Sequence, residues 1–231
     1  MVPETLLERL DYAFRQPDLL RQALTHRSYG LPHNERLEFV GDAVLNCAVA
    51  LALYERFPGT PEGELSRARA SLVNRDTLAQ LARELGLGAA IRLGEGELKS
   101  GGADRTSIIA DALEAVLGAV FVDGGFAAAR AVIDRIYAEL LRDADPATLG
   151  KDPKTRLQEW LQAHRLPIPE YAVAATSGVA HAQQFEVDCR IPALAVATRG
   201  TGTSRRAAEQ NAAAAAFALA IATDRRGDVR G

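Results

Sequence analysis

Apolar residues return at helical intervals through the first two thirds of the chain and alternate through much of the last third. From Glu35 to Phe57, the positions Leu37, Val40, Val44 and Ala48 fall on one side of a helix turning about 100° per residue, and Pro58-Gly59 ends the run. Thr106 to Val122 is apolar on nearly every side, which predicts a central helix covered by its neighbours. Pro3 to Phe14 and Pro17 to His26 form a short pair with proline near each first turn. Pro61 opens another helix with Leu65, Ala68 and Leu72 at core spacing, and Gly86 and Gly88 close the segment Asp76 to Leu85. Gly94 to Asp104 is a polar, glycine-rich loop that either flanks a substrate groove or connects two helices. Gly124-Gly125 interrupts the pattern before a last helix, Ala127 to Leu141.

Arg142 to Lys151, rich in Asp, Pro, Gly and small residues, reads as a linker, and beyond it the period changes. A helix at Lys154 to Ala163 is followed by strand patterns at Glu170 to Thr176, Gln184 to Ile191 and Ala193 to Thr198, then by a helix from Ser204 to Ala222. The expected architecture is an all-α domain over residues 1–145, a linker over 146–153, and a small α+β domain, ordered α-β-β-β-α, over 154–224. The alanine run Ala212 to Ala216 fits close helix packing better than low complexity.

Charge divides along the same line. Residues 1–150 hold 16 Lys+Arg against 22 Asp+Glu, a net of −6, and residues 151–231 hold 11 against 8, a net of +3. An acidic part joined to a basic one suits a metal-dependent enzyme carrying a polyanion-binding module, so a pI of 5.9 does not exclude nucleic acid. Cys47 and Cys189 are too few for a disulfide framework or a cysteine-rich zinc site. No segment reads as a signal peptide or approaches a membrane span, and the expectation is a soluble, cytoplasmic protein with no membrane partner and no small-molecule cofactor.

Within the helix that begins at Glu35, the carboxylates Glu35, Glu38 and Asp42 share an arc opposite the apolar stripe. Like charges on adjacent turns repel, and no lysine stands among them. Asp111 and Glu114 form a second acidic pair, at i and i+3, on the most apolar helix, where two unpartnered buried charges would cost several kcal/mol each. Each group alone is also compatible with a solvated face or an ion pair; together they point to two facing helices that share Mg²⁺ through oxygen ligands.

The segment Asn34-Glu35-Arg36-Leu37-Glu38-Phe39-Val40-Gly41-Asp42 resembles the signature of bacterial ribonuclease III. Ala23-Leu24-Thr25-His26-Arg27-Ser28, Gly96-Glu97-Leu98-Lys99-Ser100-Gly101-Gly102 and Ala110-Asp111-Ala112-Leu113-Glu114-Ala115 resemble that family in the same order, over nearly the whole chain. The resemblance implies catalytic metal ligands at Glu38, Asp42, Asp111 and Glu114, with Glu35 supporting the site near a dimer interface. It also implies Mg²⁺ as cofactor, with Mn²⁺ an alternative, and a homodimer that buries Phe39 against its partner. From the residues alone, packing within one chain explains Phe39 equally well. Glu62 matches an acidic residue near the processing centre in relatives, and equally reads as part of an acidic first turn. A packing or hydrogen-bonding role is expected of His26.

The order α-β-β-β-α resembles a double-stranded-RNA-binding domain. On its first helix Thr155, Gln158, Glu159 and Gln162 share an arc opposite Leu157, Trp160 and Leu161, a polar face suited to the 2′-hydroxyls of an RNA minor groove. His181 falls in the turn between the first two strands, which reaches a second minor groove in relatives, or is a solvated loop histidine. Ser204 as N-cap, with Arg205 and Arg206 beside it, makes a phosphate site at the start of the last helix. The expected function is Mg²⁺-dependent endonucleolytic hydrolysis of double-stranded RNA, leaving 5′-phosphate and 3′-hydroxyl ends with short 3′ overhangs, in the processing of ribosomal RNA precursors and other structured transcripts. The rivals are a non-cleaving double-stranded-RNA-binding regulator and a metal-dependent DNA nuclease.

Overall fold

In the computed structural model, residues 4–178 and 183–227 are described. They form two compact units that divide between Gly150 and Lys151.

The first unit contains α1 (Glu4–Leu10), α2 (Pro17–Ala23), α3 (Glu35–Arg56), α4 (Glu62–Leu72), α5 (Arg75–Glu84), α6 (Glu95–Lys99), α7 (Thr106–Ile136) and α8 (Ala138–Arg142). Its core centres on α7, where Ile108, Ile109, Leu113, Val116, Leu117 and Val120 are buried against Leu45, Val49 and Leu53 of α3 and Leu78 of α5. The helix ends follow local chemistry. The Asn74 side chain caps α5 by accepting from the Thr77 N–H at 2.9 Å, and Gly86, at φ 75°, supplies the left-handed conformation after its end.

Several boundaries differ from the sequence reading. The polar segment 94–104 contains α6 and a 3₁₀ turn, Gly102–Asp104. Gly124-Gly125 kinks α7 at Gly125 without ending it, because glycine adopts φ 78° there at little cost while helical hydrogen bonding resumes beyond. The Asp145 carboxylate orders the segment after α8 by accepting from the Ala147 N–H and the Thr148 hydroxyl, both at 3.0 Å, and Leu149 packs on the first unit's core.

The expectation that no segment approaches a membrane span requires correction. Both α3 and α7 are long and apolar enough, by length and composition, to cross one. The structure packs them against each other, α7 as the central helix and α3 through its apolar side, which accounts for their hydropathy without a bilayer.

The second unit runs α9 (Pro153–Ala163), β1 (Glu170–Ser177), β2 (Gln184–Ile191), β3 (Val196–Gly202) and α10 (Arg205–Gly227). The sheet is antiparallel in the order β1-β2-β3, pairing Tyr171 with Cys189 and Cys189 with Thr198, and a bulge interrupts β1 between Val173 and Ala175. Leu157 and Leu161 of α9, Cys189, Ile191 and Val196 of the sheet, and Ala212, Ala213 and Ala216 of α10 form its core. The alanines permit a close approach: a Cβ on Gly200 would lie 2.2 Å from the Ala212 nitrogen.

Strand β3 starts three residues later than the pattern from Ala193 implies. Pro192–Leu194 makes a 3₁₀ turn and Ala195 takes φ 52°, so the chain reverses before pairing begins.

Candidate functional site

The site arises where α3 crosses α7. A Cβ on Gly41 would lie 1.8 Å from the Glu114 carbonyl oxygen, and one on Gly118 would lie 2.0 Å from the Leu37 carbonyl oxygen. No side chain fits between these backbones, so the helices touch. Glu38 lies three residues before Gly41, Glu114 lies four before Gly118, and Asp111 precedes Glu114 by nearly one turn; all three carboxylates therefore reach the same edge of the crossing. Glu38, Asp111 and Glu114 each place an oxygen within 4.8 Å of the others.

Such proximity is costly for three negative charges. Burial is the main force raising the Glu38 carboxyl to about 7, with Asp111, Glu35 and Asp42 adding repulsion. Glu114 also rises to about 7, through burial and then the charges of Asp42, Asp111 and Glu38. Asp111 is raised by burial, against the pull of Arg75 and His26. Among the described residues none of the three forms an ion pair with a protein cation.

The remaining acids named from sequence occupy different surroundings. Asp42 borders the cluster as the strongest of the charges acting on Glu114, but it is exposed and its Oδ1 accepts from Asn46 Nδ2 at 2.9 Å. Glu35 approaches Arg27 at 3.4 Å and His33 Nδ1 at 3.8 Å and lies outside the group of three. Glu62, in the first turn of α4, accepts from the Ser66 hydroxyl at 2.6 Å. Phe39, on the exposed side of α3, is 80% exposed, and Tyr54 farther along the helix is 71% exposed.

Sequence reasoning did not find Gly41 and Gly118 as the makers of the crossing, or Arg75 as the cation that moderates the cluster. Two glycines 77 positions apart show no shared pattern until the helices are paired.

In the second unit, the Asp152 carboxylate accepts from the Thr155 N–H at 3.0 Å and its hydroxyl at 2.7 Å, capping α9. Gln158 and Gln162 are exposed, and Glu159 is held by Lys151 at 2.6 Å. Ser204 caps α10 by accepting from the Ala207 N–H at 3.1 Å, which leaves Arg205 and Arg206 exposed at the start of that helix. Arg205 also contacts Glu209 at 2.9 Å, and Lys154 reaches the same carboxylate at 2.6 Å. His181 lies outside the described residues.

Convergent carboxylates on an all-helical frame offer the hard oxygen donors that a divalent-cation nuclease uses, and the second unit has the topology of a duplex-RNA-binding module. Residues 16–140 match the family model described as ribonuclease-III-like, and residues 153–219 match the double-stranded RNA binding motif. A relative named Ribonuclease 3 from Ralstonia nicotianae is 60% identical over 210 residues, covering 91% of this chain and 82% of that one. Another with that name, from Thiobacillus denitrificans, is 59% identical over 213 residues, covering 92% and 94%.

Among solved structures, a nuclease domain of ribonuclease III from Campylobacter jejuni is similar with a TM-score of 0.58 and 42% identity, covering 59% of this chain and 96% of that one. That structure is described as showing structural flexibility in a region involved in dimer formation. The chain belongs to the ribonuclease III family, endoribonucleases acting on double-stranded RNA, and membership implies use of a divalent metal.

Proposed function

We propose that this chain is a homodimeric, Mg²⁺-dependent endoribonuclease that leaves 5′-phosphate and 3′-hydroxyl ends with short 3′ overhangs and matures ribosomal RNA precursors and other structured transcripts in the cytoplasm. The observation that carries the reading is the group of three carboxylates assembled by the glycine-lined crossing, each pushed towards the protonated state. A donor set of hard oxygens under mutual repulsion fits a divalent cation.

Glu38, Asp111 and Glu114 would hold it, with Asp42 at the border of the same site. When bound, Mg²⁺ lowers the pKa of a water and stabilises charge on phosphorus and the leaving oxygen; Mn²⁺ is the alternative ion. The protein's part is positional: the touching backbones fix the carboxylates, and Arg27 and Arg75 place positive charge nearby. The 80% exposed Phe39 ring supports a partner-covered face beside Glu35, and Glu62 remains an acidic residue assigned to the processing centre.

The exposed Gln158 and Gln162 face an RNA minor groove, with the oxygen of Thr155, whose hydroxyl hydrogen goes to Asp152, as an acceptor beside them and Glu159 tied back by Lys151; Ser204 orients the amides at the start of α10 while Arg205 and Arg206 meet phosphates. His181 belongs to the same binding role by its place in the sequence.

Duplex RNA and duplex DNA of one sequence, incubated with and without Mg²⁺, test the reading. It requires cleavage of RNA alone and only with the ion; uncut RNA under firm binding would favour the non-cleaving regulator.

A further inference from the structure

His26 belongs to a motif that the metal cage does not use, yet it faces the cage. It lines a cavity of about 540 Å³ beside Glu38 and Asp111, whose wall also includes Arg27, Arg105 and Ser107. That volume accommodates a nucleotide-sized group.

The backbone that carries the ring is held from behind. The His26 N–H donates to the Arg92 carbonyl at 3.0 Å, the Arg92 N–H donates to the Leu24 carbonyl at 2.7 Å, and Thr25 pairs with Arg92 in an isolated parallel bridge. Gly94 closes the contact, since a Cβ there would lie 2.3 Å from the Ser28 carbonyl oxygen.

The hydrogen bonds determine where the imidazole proton resides. Nδ1 receives the Ser28 backbone N–H at 3.2 Å, and a backbone N–H can only donate, so Nδ1 is the unprotonated nitrogen. Ser28 Oγ lies 2.8 Å from Nδ1 and accepts from the Gly94 N–H at 3.0 Å, which turns its own hydrogen towards the ring. Two donors at Nδ1, the second oriented by Gly94, therefore place the proton of the neutral ring on Nε2.

We propose that His26 is a substrate-binding residue whose Nε2–H donates to a phosphate oxygen of the RNA strand in the cavity next to the carboxylates, an assignment that rests on the ribonuclease reading above. Arg27 and Arg105 are tied to Glu35 and Glu97, at 3.4 and 2.6 Å, so a donor not committed to a carboxylate has a distinct use there. A contact beside the reacting phosphate aligns the strand without supplying much of the affinity for a long duplex, which comes from many dispersed contacts.

The test uses the full-length chain. Nitrogen-15 spectra of the histidines, with the His26 signals identified by their loss in His26→Gln, report the tautomer directly; the Nε2–H form is expected, and the Nδ1–H form overturns the proposal. In steady-state cleavage of duplex RNA with Mg²⁺, His26→Ala and His26→Asn should lose about 10- to 100-fold in kcat with equilibrium RNA affinity nearly unchanged. His26→Gln, whose amide N–H extends to about the position of Nε2, should recover most of the rate. Equal losses in Ala, Asn and Gln variants, or a loss of affinity matching the loss of rate, would assign His26 to packing or general binding. If the Ala variant fails to fold, the Asn-to-Gln comparison and the wild-type spectrum decide the matter. A wild-type chain inert towards duplex RNA would remove the ribonuclease reading itself, whereas a cleaving wild type with no Asn-to-Gln difference would remove only the role of His26.

Discussion

The α3–α7 crossing and the second unit treat their carboxylates in opposite ways. At the α3–α7 crossing, burial and mutual repulsion push Glu38 and Glu114 up to about 7 and raise Asp111. In the second unit, Asp152, Asp188 and Glu209 are all held below their usual range by hydrogen bonds and cations: Thr155 and Gln210 at Asp152, Arg199 at Asp188, Lys154 and Arg205 at Glu209. The first arrangement is a deficit that a cation can fill; the second is a settled network that leaves polar and positive groups facing outward. A ribonuclease needs both, one to perform chemistry on a phosphodiester and one to hold a polyanion without competing for the metal.

The most damaging way to break this contrast is to part the helices. Gly41→Ala forces a methyl group into the Glu114 carbonyl, and because both partners are backbone, we expect a loss of about 3 kcal/mol and of cleavage, with the second unit's fold unaffected. Thermal melts and circular dichroism of each unit would check it; a wild-type melting temperature would show that the crossing has slack.

Glu114→Gln sharpens the contrast more selectively. Cleavage should fall by about 100-fold or more at low Mg²⁺, while duplex affinity, assigned to residues 151–231, stays near the parent's. Metal-free stability should move the other way. A folded-state carboxyl near 7 binds protons that the unfolded carboxyl, at 4.5, has released, so the parent loses stability as pH rises from about 4.5 to 7. Removing the charge should return about 1 kcal/mol at pH 8, part of the repulsion being screened because the group is partly open to solvent. Equilibrium denaturation at pH 5 and pH 8 checks the sign.

Removing residues 151–231 targets the other side. The remaining unit should cut long duplex RNA at low salt and lose activity faster than the parent as salt rises, because the phosphate contacts proposed for Arg205 and Arg206 are gone. Cleavage that resists salt equally in both forms would contradict the division of labour. The smallest effect is expected of Phe39→Ala, which should weaken dimerisation about tenfold in sedimentation with little change in the melting of the subunit; a destabilised fold with unchanged dimerisation would place the ring in an intrachain role.

The acidic side of this contrast was legible in the sequence because helical spacing is local, whereas the ties of Asp188 to Arg199 and of Glu209 to Lys154 join residues on different elements of the chain. Glu38 beside Asp42, and Asp111 beside Glu114, declare a shared face whatever they pack against, and the all-α and α-β-β-β-α patterns follow from the hydrophobic period. What the sequence withheld depends on partners far along the chain. Gly41 and Gly118 look like ordinary helix glycines until their Cβ positions prove occupied by carbonyls of the opposite helix. Gly200 and Gly202 lie beyond the strand pattern that ends at Thr198, yet β3 runs on through both because α10 presses on them, and Ala195 delays the start of that strand through a backbone reversal that alanine rarely adopts. The turn of Asp42 towards Asn46 is a choice between neighbours that spacing alone leaves open.

The central claim is that Glu38, Asp111 and Glu114 form a cation site whose empty form retains protons. Calorimetric titration of Mg²⁺ into the full-length protein, in buffers of different ionisation enthalpy, counts the protons released on binding. The account predicts clear release at pH 6, where carboxyls near 7 are largely protonated, very little at pH 8, and a reduced count for Glu114→Gln at pH 6. Binding that releases no protons at pH 6, or releases the same number from Glu114→Gln as from the parent, would contradict it.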